Sequence, residues 1–84
     1  MSMSELTARI RQILLAHGRL SRELQSLPDE ADLYQAGMTS HASVNVMLAL
    51  ESEFELEFPD HMLTRNVFNS VASIRTALEE LASA

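Results

Sequence analysis

Three kinds of side chain in this sequence could do chemistry: a pair of hydroxyls at a helix start, three histidines, and a run of carboxylates. Thr39 and Ser40 follow a turn at Gly37-Met38 and open the apolar-periodic stretch from His41 to Glu51. A helix start leaves backbone N–H groups unpaired and carries partial positive charge, so anionic phosphate on a first-turn hydroxyl is favoured there. Position thus suits Ser40 to bearing a phosphate, with Gly37 and Thr39 shaping the approach. The plainer reading is that Thr39-Ser40 is only a cap pair, since serine and threonine are preferred N-caps. A serine nucleophile fits poorly: His41 is merely its neighbour in sequence, and no third group is placed to orient that imidazole.

His17, His41 and His61 fall on three different elements, without i, i+4 pairing or cysteine company, so no metal site is expected. His41, at the second position of its helix, could contact a phosphate or a partner. Glu51, Glu53, Glu55, Glu57 and Asp60 lack the D-x-D-x-D-G order of a calcium loop and read as a solvated rim.

The elements that must position these groups are helical. Leu6, Ile10, Ile13 and Leu14 recur at helical spacing between Ser4, a candidate N-cap, and Gly18, with Arg9, Arg11 and Gln12 on a solvated face. Residues 18–39 hold no sustained period and read as one long loop, anchored by Leu20, Leu24, Leu27 and Leu33, with a short helical turn at residues 21–25. Loops of that length in small domains are usually functional. A second helix runs from a cap at Thr39 or Ser40 to about Phe54. Val44, Met47, Leu48, Glu51 and Phe54 share one side of it, and Val46 and Leu50 widen the apolar face. Pro59 restricts Phe58 to extended backbone. Residues 64–68 could form a short helix, and Ser70 caps a last one that turns Val71, Ile74, Ala77, Leu78 and Leu81 inward. The expected fold is all-α: a small four-helix bundle, three helices long and one short, with the long loop between the first two.

With 84 residues and 46% hydrophobic content there is material for one core, hence one domain over residues 1–84. There is no cysteine for a disulfide or a thiolate metal site. The first residues carry no signal-peptide pattern, and no apolar run nears the roughly 18 residues of a spanning helix, so the expectation is a cytoplasmic monomer without membrane contact. Twelve acids against six bases, all arginine, make nucleic acid an unsuitable partner.

The stretch from Asp32 to Pro59 resembles the acyl carrier protein family, the phosphopantetheine-binding carrier domains. That family reads D-L-x-x-x-G-x-D-S-L-x-x-V, then an apolar helix ending in E, then E-F-x-x-x-[IF]-P. Asp32, Leu33, Gly37, Ser40, Val44, Leu50, Glu51, Glu53, Phe54, Phe58, Pro59 and Asp60 fit it without a gap. The resemblance implies a protein that is no enzyme but a tether. A phosphopantetheinyl transferase would attach the 4'-phosphopantetheine of coenzyme A to Ser40, and the arm would carry an acyl or aminoacyl group as a thioester. Gly37, Thr39 and His41 would flank the attachment, and Met38, Ala42, Val44, Asn45, Met62 and Val67 would meet partner enzymes, among which methionine's adaptable surface suits several.

Two departures are informative. Thr39 stands where the family has aspartate and His41 where it has leucine; Ala42, Ser43 and Asn45 replace frequent acids, leaving residues 33 to 50 without any acid. In the fatty-acid branch that acidic face docks basic enzymes, so its absence points to other partners. The pattern is similar to stand-alone carriers charged with an amino acid by ligases related to class II aminoacyl-tRNA synthetases, with a downstream acceptor enzyme. A carrier for fatty acid or polyketide synthesis is the alternative. A small helical interaction module without prosthetic group is the alternative of another class.

Overall fold

The computed structural model describes residues 2–18, 20 and 26–83, Ser83 by its backbone alone; the helical turn expected at 21–25 and the anchor Leu24 lie outside them. The described residues form four α-helices and no strand: α1 (Met3–His17), α2 (Ser40–Phe54), α3 (Arg65–Phe68) and α4 (Val71–Ser83), with a 3-10 turn at Asp60–Met62. The expected all-α bundle of three long helices and one short is what the described residues form.

Helix α1 begins two residues earlier than its pattern suggested. Ser2, not Ser4, is the N-cap, its hydroxyl accepting the Glu5 N–H at 3.2 Å. Ile10 and Leu14 are fully buried, with Leu6 and Ile13 half-buried beside them. Helix α1 packs on α2 and α4, and α3 packs on α4. The cap of α4 is Ser70 as expected, its hydroxyl accepting the Ser73 N–H at 3.0 Å while Ser73 Oγ donates to Val67 O at 2.7 Å.

Helix α2 corrects the expected inner face. Its core line is Ala42, Val46 and Leu50, all fully buried, while Val44 and Leu48 are about half exposed at 50% and 53%. Two residues along a helix turn the side chain through about 200°, so Val44 and Leu48 lie opposite that line. Both stripes have helical spacing, and the small Ala42 gave no signal that its side faces inward. Beyond α2, Glu55 takes the left-handed conformation (φ 53°), Leu56 N–H donates to Glu51 O at 3.1 Å, and Phe58 N–H donates to Glu51 Oε2 at 2.9 Å. Glu51 therefore does more than sit on a solvated rim: it holds the backbone of Phe58, whose ring meets Phe68 edge-on at 5.3 Å and 71°.

The long connection between α1 and α2 is sewn to the helices. Leu20 and Leu33 are buried and Leu27 half-buried. Arg11, expected on a solvated face, reaches over α1 to donate to Leu27 O at 2.8 Å and Asp29 Oδ1 at 2.6 Å. Arg75 of α4 donates to the other carboxylate oxygen of Asp29 at 2.9 Å and to Thr7 Oγ1 at 3.1 Å. Backbone bonds finish the seam: Ala72 N–H to Asp29 O at 2.8 Å and Leu33 N–H to Asn69 O at 2.7 Å. One carboxylate thus joins the loop to both α1 and α4.

The hydrogen bonds from Arg75 and then Arg11 hold the Asp29 carboxyl below its ordinary pKa of 3.8. A depressed folded value means that this stabilisation is complete above pH 3.8 and fades as pH falls through the folded value. Asp29→Asn should lower stability at neutral pH by about 1–2 kcal/mol, between the values for exposed ion pairs and for bonds to charged groups. Below pH 3.8 the gap between variant and wild type should close. Urea unfolding at pH 7 and at successively lower pH measures both, and a gap that stays constant into acid would refute the assignment.

Candidate functional site

The approach to Ser40 is a single closed turn. Asp32 Oδ1 accepts the N–H groups of Tyr34 at 2.9 Å and Gln35 at 3.4 Å, capping its start. Gly37 N–H donates to Tyr34 O at 3.2 Å and Met38 N–H to Leu33 O at 3.0 Å, the paired bonds of a Schellman closure. Gly37 has φ +119°, a backbone conformation that side-chain-bearing residues rarely adopt. On either side of that closure Leu33 and Met38 enter the core, at 1% and 3% exposure. The motif D-L-x-x-x-G is thereby a cap, an anchor and a stop.

Thr39, in extended backbone (φ −84°, ψ 164°), is the N-cap of α2, and its Oγ1 accepts the Ala42 N–H at 3.0 Å. Ser40 follows as the first helical residue, exposed. Ser43 N–H donates to Thr39 O at 2.9 Å and Ser43 Oγ to Ser40 O at 2.7 Å. The Ser40 hydroxyl itself makes no hydrogen bond among the described residues. Two adjacent hydroxyls thus have separate roles: the threonine serves the helix and the serine faces solvent. No acid occurs in the first turn of α2, so nothing offsets the positive end of that helix.

Beside Ser40 lies a groove of about 450 Å³. Ser40, Ser43, Val44 and Met47 of α2 form one wall, facing Tyr34, Leu63, Thr64 and Arg65, with Phe68 completing the lining. The Arg65 guanidinium carbon stands 3.9 Å from the centre of the Tyr34 ring.

The expected site residues divide by position. Gly37, Thr39, Ser40 and Val44 come together at the groove or its approach. His41 is exposed at the second position of α2 but does not line the groove, and Asn45 is half-buried on the same helix. Met38, Ala42 and Met62, expected at the partner interface, are instead core residues, 3%, 0% and 7% exposed. Met62 and Val67 border a different hollow, with His61 and Asn66. In the irregular stretch after Pro59 no period tells inside from outside, and the outward side falls to Leu63, Thr64 and Arg65. Those three and Tyr34 carried no site signal in the sequence beyond Leu63, a large apolar residue two positions before Arg65 and the short helix expected there.

Among the described residues no group of histidine, cysteine, aspartate and glutamate is arranged to hold a metal ion, and no helix is long and apolar enough to cross a membrane.

Residues 9–78 match the family described as the phosphopantetheine attachment site. Over 74 residues the chain is 43% identical to the aminoacyl carrier protein of Agrobacterium fabrum (strain C58 / ATCC 33970), covering 88% of this chain and 89% of that one. Its fold is similar to the carrier protein from Agrobacterium tumefaciens seen in a crystal structure with engineered Bradyrhizobium japonicum glycine:[carrier protein] ligase and ATP. There the TM-score is 0.85 at 43% identity, covering 89% of this chain and 97% of that one. A glycylated carrier protein in complex with Bradyrhizobium japonicum glycine:[carrier protein] ligase is similar at TM-score 0.62 and 34% identity, over 83% of this chain and 97% of that one.

The turn before Ser40 makes a prediction of its own. A Cβ at Gly37 would meet nothing within 4 Å, so only backbone strain opposes a side chain there. Gly37→Ala should cost about 1–3 kcal/mol in urea unfolding. D-Alanine at the same position, placed by chemical synthesis, prefers positive φ and should be tolerated. Equal losses for the two would show that the turn does not depend on this backbone angle.

Proposed function

The chain belongs to the phosphopantetheine attachment site family of carrier domains, and from that membership we propose that Ser40 is the residue modified, by a phosphopantetheinyl transferase using coenzyme A. The observation that carries this reading is the division between Thr39 and Ser40: the helix is already capped, and the next hydroxyl is exposed and without a hydrogen bond among the described residues. Ser40 loses its hydroxyl proton and displaces adenosine 3',5'-bisphosphate from coenzyme A. The residues fit the group: a phosphodiester on Ser40 sits at the positive end of α2, and the groove beside it offers apolar Val44, Met47 and Leu63 next to polar Ser43 and Thr64. When attached, the arm supplies a thiol that holds its cargo as a thioester.

The cargo we infer is an amino acid, glycine first among candidates. Support comes from the relatives, one an aminoacyl carrier protein and others carriers held by a glycine ligase. It comes also from this chain's own surface, where α2 presents exposed Val44 and Leu48 and no acid before Glu51. Such a face suits a partner with little positive charge. The partners are then the transferase, an amino acid:carrier ligase and an acceptor enzyme. Residues 1–84 act as one monomeric cytoplasmic carrier domain, a tether and not a catalyst, since among the described residues the Ser40 hydroxyl has no hydrogen bond to a base.

Incubation of the apo protein with coenzyme A, magnesium and a broad-specificity phosphopantetheinyl transferase should add one phosphopantetheine by intact mass, and none to Ser40→Ala. A wild type left unmodified would overturn the assignment. Holo protein given the glycine ligase, ATP and amino acids should gain an aminoacyl adduct released by mild hydroxylamine, as thioesters are. If a fatty acyl loading enzyme charges it and no amino acid ligase does, the cargo is an acyl chain instead.

A further inference from the structure

Four arginines fall among the described residues, and three of them are engaged with acids. Arg9 pairs with Glu53 at 3.5 Å, and Arg11 and Arg75 share Asp29. Arg65 pairs with no carboxylate among the described residues; it lies against Tyr34, in the wall of the groove that also contains Ser40. A guanidinium stacked on a ring spends its face on the contact and keeps its in-plane N–H donors, a fork that matches phosphate oxygens. Resting on a ring also lowers the conformational entropy still to be lost when such a side chain binds.

The platform under Arg65 is itself well held. Tyr34 N–H is bound by Asp32 Oδ1 at 2.9 Å and Tyr34 O accepts the Gly37 N–H at 3.2 Å, both within the closed turn that delivers Ser40. Between Leu33 and Leu50 there is no acid, and the Asp32 carboxylate just before them accepts the Tyr34 and Gln35 N–H groups. Groove, stacked arginine and exposed serine therefore meet where the proposed modification would introduce one anion.

We propose that Arg65, laid against Tyr34, forms a charge-assisted contact with the phosphodiester on Ser40 and so restricts the direction in which the arm leaves the protein. This rests on the attachment of phosphopantetheine to Ser40 proposed above. Thr39, the residue just before Ser40, carries no charge that would compete with the phosphodiester for the guanidinium.

The test is a thermodynamic cycle between modification and residue 65, with apo and holo forms confirmed by mass. At low salt the modification should raise the folding equilibrium constant of the wild type about two- to fivefold, the range of partly exposed ion pairs. It should do the same for Tyr34→Phe, which keeps the ring. Arg65→Gln should reduce the difference to the share that the positive end of α2 supplies, and Arg65→Lys and Tyr34→Leu should retain more of it. Molar salt should erase it in the wild type, and the Arg65 Nε–Hε resonance should shift between apo and holo forms. Should the holo-minus-apo difference be the same in Arg65→Gln as in wild type, the contact is overturned. An Arg65→Gln variant that binds the ligase less well while keeping that difference would assign Arg65 to the partner and likewise overturn it. A wild type that gains no mass fails the attachment reading, and this proposal with it, whereas mass gain without coupling defeats the contact alone.

Discussion

The closure of the turn between Asp32 and Met38 is the constraint on which the site depends. A helix start can be capped by many sequences, but here the cap must appear immediately after a residue that is driven into the core. Gly37 makes this possible with a positive φ, ending the preceding turn so sharply that Met38 points inward and Thr39 is already extended. Leu33, buried one position after the capping aspartate, and its N–H bond to Asn69 O fix the same turn to the segment between α3 and α4. The backbone around Ser40 is consequently held from both sides, by the core beneath Met38 and by the hydrogen bonds of the α2 cap.

A chain of this size has one core and little redundancy. Nearly every large apolar residue that is fully buried comes from α1, α2 or α4, with Leu33 the contribution of the loop. The described part of the loop is secured by buried Leu20, Leu33 and Met38 and by polar bonds, with Asp29 receiving a guanidinium from either side. A partly buried ion-pair network is a weaker fastening than apolar burial, yet shared between two arginines it joins three segments through one side chain. Among the described residues no buried side-chain nitrogen or oxygen lacks a partner.

The surface around Ser40 is unusual for an acidic protein of net charge −6. Five of the twelve carboxylates, Glu51, Glu53, Glu55, Glu57 and Asp60, lie at the far end of α2 and along the segment that follows, while α2 before Glu51 exposes Val44 and Leu48, with Val44 in the groove that Leu63 and Arg65 also line. A domain this small could have buried another valine or leucine; instead it leaves both outside on one face of one helix. That distribution suits an anion on Ser40 and a partner recognised through apolar contact.

The turn and the cap that present Ser40 were legible in the chain because their signals are local. Capping, the need for glycine at positive φ, and the order D-L-x-x-x-G-x-x-S depend on residues within one turn of each other, so they survive without knowledge of the fold. The helices at residues 3–17, 40–54 and 71–83 were legible for a related reason, since apolar periodicity is a property of a single element. What sequence could not settle was every question whose answer lies on another segment. Whether Val44 or Val46 faces inward is decided by where the rest of the bundle lies against α2; Arg11 is a clasp because Asp29 comes within 2.6 Å of it, and Arg65 meets Tyr34 from thirty-one positions away because the loop and α3 share a groove. Local chemistry chose the serine, its cap and its turn. Only packing chose the walls around it, because a wall is made of surfaces that no single stretch of chain contains.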